Sequence, residues 1–396
     1  MKYVVILPDG AADEPLAELD GKTPLEVADI PNMDWVARHG RLGTVQTVPQ
    51  GFEPGSDVAT LSVLGYSPAK YYTGRSPIEA AARKIKVAPN DVVFRCNLVT
   101  IVDGRMEDYS AGKISTEEAR KLIDELNAQL GGDDIEFFAG VSYRNLLVYR
   151  AAKGLDPRLT PPHQIPGKPV RSYWPSGRGG KTVQELMERS RQILAEHEVN
   201  QVRRDLGENP ATSIWLWGHG HMPTLPRFSE RFGLSGAVVA AVDLVRGVGR
   251  LIGWQLIDVE GATGYLDTNY AGKGVATVGA LDRYDLVTVH VEAPDEAGHD
   301  GNAPEKIKAL ERIDTHVVGP VLEKLRSFGE EWRVLVAPDH PTPVSSKVHT
   351  SDPPPFCMAG KGVKTVTGQP FTEADAAESG MHIERGHELM EFFLKP

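Results

Sequence analysis

Cysteine is nearly absent: Cys96 and Cys357 are the only two in 396 residues. A disulfide framework is therefore excluded, and both thiols are expected to be reduced and structural. Long apolar runs are absent too. None approaches the roughly 18–20 residues that a membrane-spanning helix needs. The Lys2–Leu7 stretch is too short for a signal-peptide core and runs at once into Asp9-Gly10. Nor is there an excess of basic residues. Lys and Arg number 43 against 54 Asp and Glu, for a formal charge of −11, so the field that nucleic-acid binding requires is missing. An acidic chain that handles an anion must gather positive charge locally, through metal ions or arginines. Repeats and low-complexity segments are lacking. With 41% hydrophobic residues the chain has ample core, and its length suggests two domains or one core with a large insertion. These bounds describe a soluble, cytoplasmic protein with no membrane and no nucleic-acid partner. Oligomeric state is not legible.

What the chain does have is acid and imidazole placed just after strand-like apolar runs. Tyr3-Val-Val-Ile-Leu7 leads into Pro8-Asp9-Gly10, Asp285–Val291 leads into Asp295 and His299, and Trp332–Ala337 leads into Pro338-Asp339-His340, with His349 a short loop later. In an open parallel α/β sheet, ligands bind in the crevice at the carboxyl ends of the strands. Three carboxylates and three imidazoles gathered there exceed the needs of one metal ion and suit two divalent ions with mixed oxygen and nitrogen ligands.

The intervening sequence supports an alternating α/β core with an insertion. Thr23 with Pro24 reads as a helix start, a second helix spans about 32–39 and stops at Gly40, a short strand covers 44–48, and a helix covers 58–64. From about 76 to 181 the texture changes: residues 92–102 alternate like a strand, 116–130 have helical spacing, 145–149 form a short apolar strand, and the Pro- and Gly-rich 157–180 reads as loop. Alternation then resumes, with a long helix at 183–206, strands at 214–217 and 238–242, a helix ending at 277–281, a long amphipathic helix at 304–325 and a closing helix at 387–394. The expected domains are residues 1–75 with 182–396 as the core and 76–181 as an inserted α+β domain.

Asp9-Gly10, Gly55-Ser56-Asp57, Asp295-x-x-x-His299, Asp339-His340 and His349 occur in the order found in cofactor-independent phosphoglycerate mutases of the alkaline phosphatase superfamily. The chain resembles the archaeal-type branch most, supported by Gly21–Leu25, Thr60–Tyr66, Pro294–Asp300 and, in the insertion, Tyr143–Leu147. The resemblance covers essentially the full length. It implies an alkaline-phosphatase-like, mostly parallel sheet flanked by helices. It also implies two metal sites, one of Asp295, His299 and His349, the other of Asp9, Asp339, His340 and the hydroxyl of Ser56. The spacing agrees, since residues four apart share one side of a helix. Manganese is the first choice by resemblance, and zinc, cobalt or iron also suit such ligands.

The resemblance further implies that Ser56 is the nucleophile, activated by metal coordination, and that 3-phosphoglycerate and 2-phosphoglycerate interconvert through phosphoserine without bisphosphoglycerate. Gly55 is expected to let the loop turn sharply. The substrate is then a small phosphorylated hydroxy acid, whose carboxylate and hydroxyls suit forked arginine donors. Arg144 is the first choice, with Arg75, Arg171 and His163 behind it and Lys273 in the core. Rival functions on the same scaffold are a homoserine-kinase-like phosphotransferase and a metal-dependent phosphomonoesterase. A binding protein is disfavoured because the nucleophile and every ligand are present.

Other residues have plainer roles. Asp57 is expected to cap a helix, His219 and His221 to lie on a loop, and His290 to be a satisfied core histidine. Trp215 and Trp217 are expected in the core. Gly179-Gly-Lys-Thr182 is a false phosphate loop, because Pro175 stands where a glycine is needed.

Overall fold

The computed structural model describes residues 1–366 and 368–395. The chain divides into two compact units, Met1–Tyr72 with Thr224–Pro396, and Thr73–Pro223. The second boundary thus falls well beyond the expected 182. The reason is strand pairing: Ser213–Gly220 runs antiparallel to Val92–Val102 and so belongs to the second unit, together with the helices before it.

The first unit is built on an eight-stranded sheet in the spatial order Gln255–Ile257, Gly236–Val239, Leu286–Val291, Lys2–Pro8, Trp332–Val336, Pro355–Gly360, Arg41–Val45, His382–Ile383. Pairing is parallel except around Pro355–Gly360, which is antiparallel to both neighbours. The three central strands are buried on both faces. This is why they read as continuous apolar runs and not as alternation. Register aligns their ends: Pro8 pairs with Val291, and Ile6 pairs with both Val289 and Val336. The residues that follow, Asp9, Glu292 and Asp339, therefore leave the sheet at one edge.

The amphipathic stretch expected over 304–325 is helical throughout but not uniform. Helices Ala303–Ile313 and Gly319–Arg326 are joined by a π turn at Asp314–Val318. Pro320 has no N–H to give to the preceding turn, and the wider turn absorbs that loss. It also aims Asp314 at helix Pro31–Arg38, whose N-cap residue, Ile30, has no capping side chain. Asp314 accepts from the backbone N–H of Asn32 (3.1 Å) and Met33 (2.7 Å) and from the Asn32 amide (2.8 Å). A carboxylate far away in sequence thus satisfies the orphan donors.

A second polar tie secures the loop after the first strand. Thr23 caps helix Pro24–Val27 in a capping box with Glu26, and its hydroxyl donates to Glu373 (2.7 Å). Glu373 also accepts from the backbone N–H of Asp13 (3.0 Å). Burial pushes the Glu373 carboxyl up to about 7, against the hydrogen bonds that favour its charge.

The second unit is an antiparallel sheet. Val92–Val102 is flanked by Arg144–Tyr149 and Arg105–Asp108 on one side and Ser213–Gly220 on the other, and Ile135–Val141 continues the sheet. Phe94, Cys96 and Leu98 point to one face and pack with Leu122, Leu126, Met187 and Leu194 of the covering helices. Val93 points to the other face, against Ala80, Leu146 and Val148. The expected single helix over 183–206 is two, Gly180–Glu196 and Glu198–Asp205. His197 breaks it, because its Nδ1 accepts the Val199 N–H (3.1 Å) and caps the second. The expected loop at 157–180 holds a small two-stranded sheet, Asp156–Arg158 with Ser176–Arg178.

Asp314→Ala removes a charged cap with several donors and should lower stability by about 1–3 kcal/mol, read as a lower urea midpoint with an unchanged slope. Glu373 yields a pH test. Its folded pKa lies above its unfolded value, so its contribution is full below about pH 4.5 and is lost as pH rises through about 7. Between pH 5 and 8, Glu373→Gln should gain on the parent by on the order of 1–3 kcal/mol. Parallel loss in both proteins would show that Glu373 is not the titrating group.

Candidate metal centre

The residues expected from the sequence meet at the carboxyl edge of the first unit's sheet. Asp9 follows Lys2–Pro8, Asp295 and His299 lie on helix Ala293–Asp300 after Leu286–Val291, and Asp339 and His340 follow Trp332–Val336. Asp9, Asp339 and His340 have no exposed surface, and Asp295 has almost none. Two sets can each converge on one ion: Asp295 with His299 and His349, and Asp9 with Asp339 and His340. In the first, His299 Nε2 lies 3.4 Å and His349 Nε2 3.3 Å from the Asp295 carboxylate, and the two ring nitrogens are 2.9 Å apart. In the second, His340 Nε2 is 3.5 Å from Asp9 and 3.7 Å from Asp339. The His340 and His349 rings, 4.1 Å apart, join the sets.

Ser56 sits at the first turn of helix Ser56–Val63, every residue of which is buried. Its Oγ is 3.2 Å from His340 Nε2 and 3.4 Å from Asp9 Oδ2. The hydroxyl expected to act as nucleophile is thus placed on the second set.

Local backbone demands explain the glycines. Gly10 has φ +62°, and a Cβ there would come within 2.6–2.7 Å of Asp295 atoms, so only glycine lets the Asp9 loop lie against Asp295. Gly55 differs from expectation. Its φ of 174° is extended, so it makes no sharp left-handed turn; a Cβ there would crowd the Asp57 carboxylate at 2.9 Å. Asp57 itself is not a side-chain cap. It is buried and accepts a 2.5 Å bond from the Tyr72 hydroxyl.

Electrostatics confirm how crowded the centre is. Burial raises Asp9 well above the ordinary carboxyl range, and the charges of Asp339 and Asp295 add to this. Burial also pushes Asp295 up, but hydrogen bonds from His299 and His349 outweigh it and hold Asp295 well below. Burial disfavours the His299 charge, yet Asp295 more than compensates and raises it to about 9. Asp9 Oδ1 and Asp339 Oδ2 are buried oxygens with no hydrogen-bond partner. Orphaned acceptors inside a ring of carboxylates and imidazoles fit cations: the donor set matches two divalent ions with O and N ligands.

Three neighbours extend the picture. Glu292 forms a further possible set with Asp9 and Asp295. The sequence signal for it was its place at the end of the Leu286–Val291 strand, equivalent to Asp9 in register. His290 is buried as expected, but its Nε2 lies 2.9 Å from Asp9 while its Nδ1 has no hydrogen-bond partner. It is therefore a neighbour of the centre and not a satisfied core residue. Burial lowers its pKa to about 4. Lys273 has no exposed surface and donates to the His290 carbonyl (3.1 Å), so it faces the interior. Burial lowers it to about 8, opposed by Glu292 and Asp9.

The other expected substrate residues lie in the second unit. Arg75 Nε is 3.1 Å from Glu79, which also pairs with Arg95 (3.3 Å). The Arg95 guanidinium lies over the Trp217 ring, 5.1 Å from its centroid. Arg95 was overlooked, although its position opposite Phe94 and Cys96 in the alternating strand was legible. Burial, with help from Arg75 and Arg144, lowers it to about 10 against the pull of Glu79. Arg144 lies over Tyr143 (5.2 Å), and His163 packs edge-on against Trp217 (5.3 Å). Arg171 is on the exposed turn Val170–Tyr173. His219 belongs to a strand and not to a loop, with Asp156 at 3.4 Å; His221 follows that strand and meets the Asp91 carbonyl at 2.8 Å. Trp215 and Trp217 are in the core. Both cysteines are free and buried. Among the described residues no helix is long and apolar enough to cross a membrane.

Known proteins place this geometry in a family. A family profile described as 2,3-bisphosphoglycerate-independent phosphoglycerate mutase matches residues 37–200. A relative of that name from Methanothrix thermoacetophila is 50% identical over 394 residues, covering 100% of both chains. A "probable" one from Geobacter sulfurreducens is 48% identical, again over 100% of both. The solved cofactor-independent phosphoglycerate mutase of Thermoplasma acidophilum superposes with a TM-score of 0.66 at 28% identity, covering 100% of this chain and 99% of its own. A solved Pyrococcus horikoshii protein reaches 0.85 at 30% identity, covering 99% and 96%. The aspartates, histidines and serine gathered at one sheet edge are thus carried by a chain that belongs to the 2,3-bisphosphoglycerate-independent phosphoglycerate mutases.

Proposed function

We propose that this chain interconverts 3-phosphoglycerate and 2-phosphoglycerate through a phosphoserine on Ser56. The observation that carries the reading is the position of the Ser56 hydroxyl, on the first turn of a buried helix and within 3.2–3.4 Å of His340 and Asp9. Asp295, His299 and His349 would hold one divalent ion, and Asp9, Asp339, His340 and Ser56 the other. When bound, such ions lower the pKa of a coordinated hydroxyl and neutralise phosphate charge. Manganese is the proposed metal, and no bisphosphoglycerate is needed.

Ser56 Oγ loses its proton and attacks the phosphorus. The bond from phosphorus to the glycerate 3-oxygen breaks, and that oxygen takes up a proton. Glycerate turns, its 2-hydroxyl gives up a proton, the phosphoryl group leaves Ser56 for the 2-oxygen, and Ser56 Oγ takes a proton back. Atoms and charge balance without a co-substrate. Free amides at the N-terminus of helix Ser56–Val63 favour the phosphate's negative charge. Arg75, Arg144 and the buried Arg95 are the proposed grip on the glycerate carboxylate, with His163 beside them. Arg171 stays a weaker candidate on its exposed turn, and buried Lys273 is proposed to balance Asp9 and Glu292 instead of touching glycerate. Residues 73–223 are the proposed substrate-binding unit, and a cytoplasmic location is proposed with the pathway chemistry.

The deciding experiment is turnover of 3-phosphoglycerate by chelator-stripped protein with added Mn²⁺, without bisphosphoglycerate, coupled to enolase. Net release of inorganic phosphate would favour a phosphomonoesterase, and ATP-dependent phosphorylation of homoserine without mutase turnover would favour the kinase-like rival. Ser56→Ala should reduce mutase turnover by at least about 10³-fold while leaving the fold intact by circular dichroism; substantial turnover would remove Ser56 as nucleophile. Because cations relieve the repulsion among buried carboxylates, Mn²⁺ at about 100 times its Kd should stabilise the stripped protein by about 2.7 kcal/mol per site. An unchanged melting temperature would count against metal binding.

A further inference from the structure

Beside the centre lies a fully buried ion pair. Lys306 comes from helix Ala303–Ile313 and its Nζ is 2.7 Å from Asp13 Oδ2; neither side chain has any exposed surface. The same ammonium donates to the carbonyls of Ala12 (3.2 Å) and Thr342 (2.9 Å). Asp13 in turn accepts the Val344 N–H at 3.2–3.3 Å. Ala12 and Asp13 belong to the loop that carries Asp9, whereas Thr342 and Val344 belong to the loop that carries Asp339 and His340. The loops also meet directly through the Thr342 N–H and the Ala12 carbonyl (3.3 Å).

Stability alone is a poor explanation for this pair. Moving an ammonium and a carboxylate out of water costs several kcal/mol for each ion, and well-packed apolar residues of similar volume often serve as well or better. What an apolar pair cannot do is fix two backbone carbonyls and a carboxylate at hydrogen-bond distance from one point. Thr342 shows where that matters. Its carbonyl is held by Lys306, and its hydroxyl donates to Asp295 Oδ1.

We propose that Lys306 is a positioning residue for both halves of the metal centre. Through Ala12 and Asp13 it sets the loop of Asp9; through Thr342 it sets the carboxylate of Asp295. A direct supporting bond such as that of Thr342 to Asp295 is worth about 10–100-fold in metal affinity, and Lys306 acts one bond further out. The proposal rests on the reading that these carboxylates hold divalent ions.

The test is calorimetric titration of chelator-stripped protein with Mn²⁺, beside apo melting temperatures. The proteins are the parent, Lys306→Met and the double variant Lys306→Met/Asp13→Leu. Lys306→Met should weaken Mn²⁺ binding at both sites by about 10-fold, the low end of what a direct partner of a metal ligand carries. The double variant removes the unpaired buried carboxylate and should recover apo stability without recovering affinity. It therefore keeps the test decisive if Lys306→Met alone folds poorly. Parent-like Mn²⁺ affinity in the double variant would overturn the positioning role and leave the pair a structural one. A parent that binds no Mn²⁺ would overturn the metal reading itself, and the positioning role with it.

Discussion

Mutual repulsion among Asp9, Asp295 and Asp339 is the constraint around which the first unit is arranged. Three carboxylates with little or no exposed surface cannot all stay charged without positive partners. The structure answers this unevenly. Asp295 is stabilised by two imidazoles, whereas Asp9 is driven upward by its neighbours. Such an imbalance is costly for a fold and useful for a site, because a cation entering it gains what the apoprotein lacks.

The parallel sheet is what makes the arrangement possible. Its three central strands end in register, so residues as far apart in the chain as Asp9 and Asp339 leave the sheet side by side. Each strand is then followed by a different device. Gly10 permits close approach to Asp295, helix Ala293–Asp300 places His299 one turn after Asp295, and the Asp339-His340 loop folds back so that Thr342 reaches Asp295. Loop positions are held by buried polar ties and not by apolar packing alone. The Lys306–Asp13 pair and the Glu373 bridge between Thr23 and Asp13 both converge on the segment after the first strand.

Much of this was legible beforehand. Apolar runs ending in Asp or His marked the site because strands buried on both faces have no alternation to hide them. Asp314 capping a distant helix was not legible, since nothing near residue 31 signals a partner near residue 314. The break at His197 was missed because a histidine rarely announces that its ring will cap the next helix. Asp57 and Gly55 were misjudged for the same reason: their roles come from Tyr72 and from each other in space. The boundary near 182 failed because a return to α/β-like texture does not reveal which sheet a strand joins.

By itself the sequence determined the kinds of chemistry available and their order along the chain: carboxylates, imidazoles and one serine, each tied to a strand end or helix start by local patterning. Only the tertiary structure decided which of them share a point in space, that Glu292 and His290 adjoin Asp9, that Lys273 turns inward, and that Arg95 joins Arg75. Local periodicity records which face of an element is apolar. Distances between elements are set by strand register and by long-range hydrogen bonds, and those depend on partners that no local window contains.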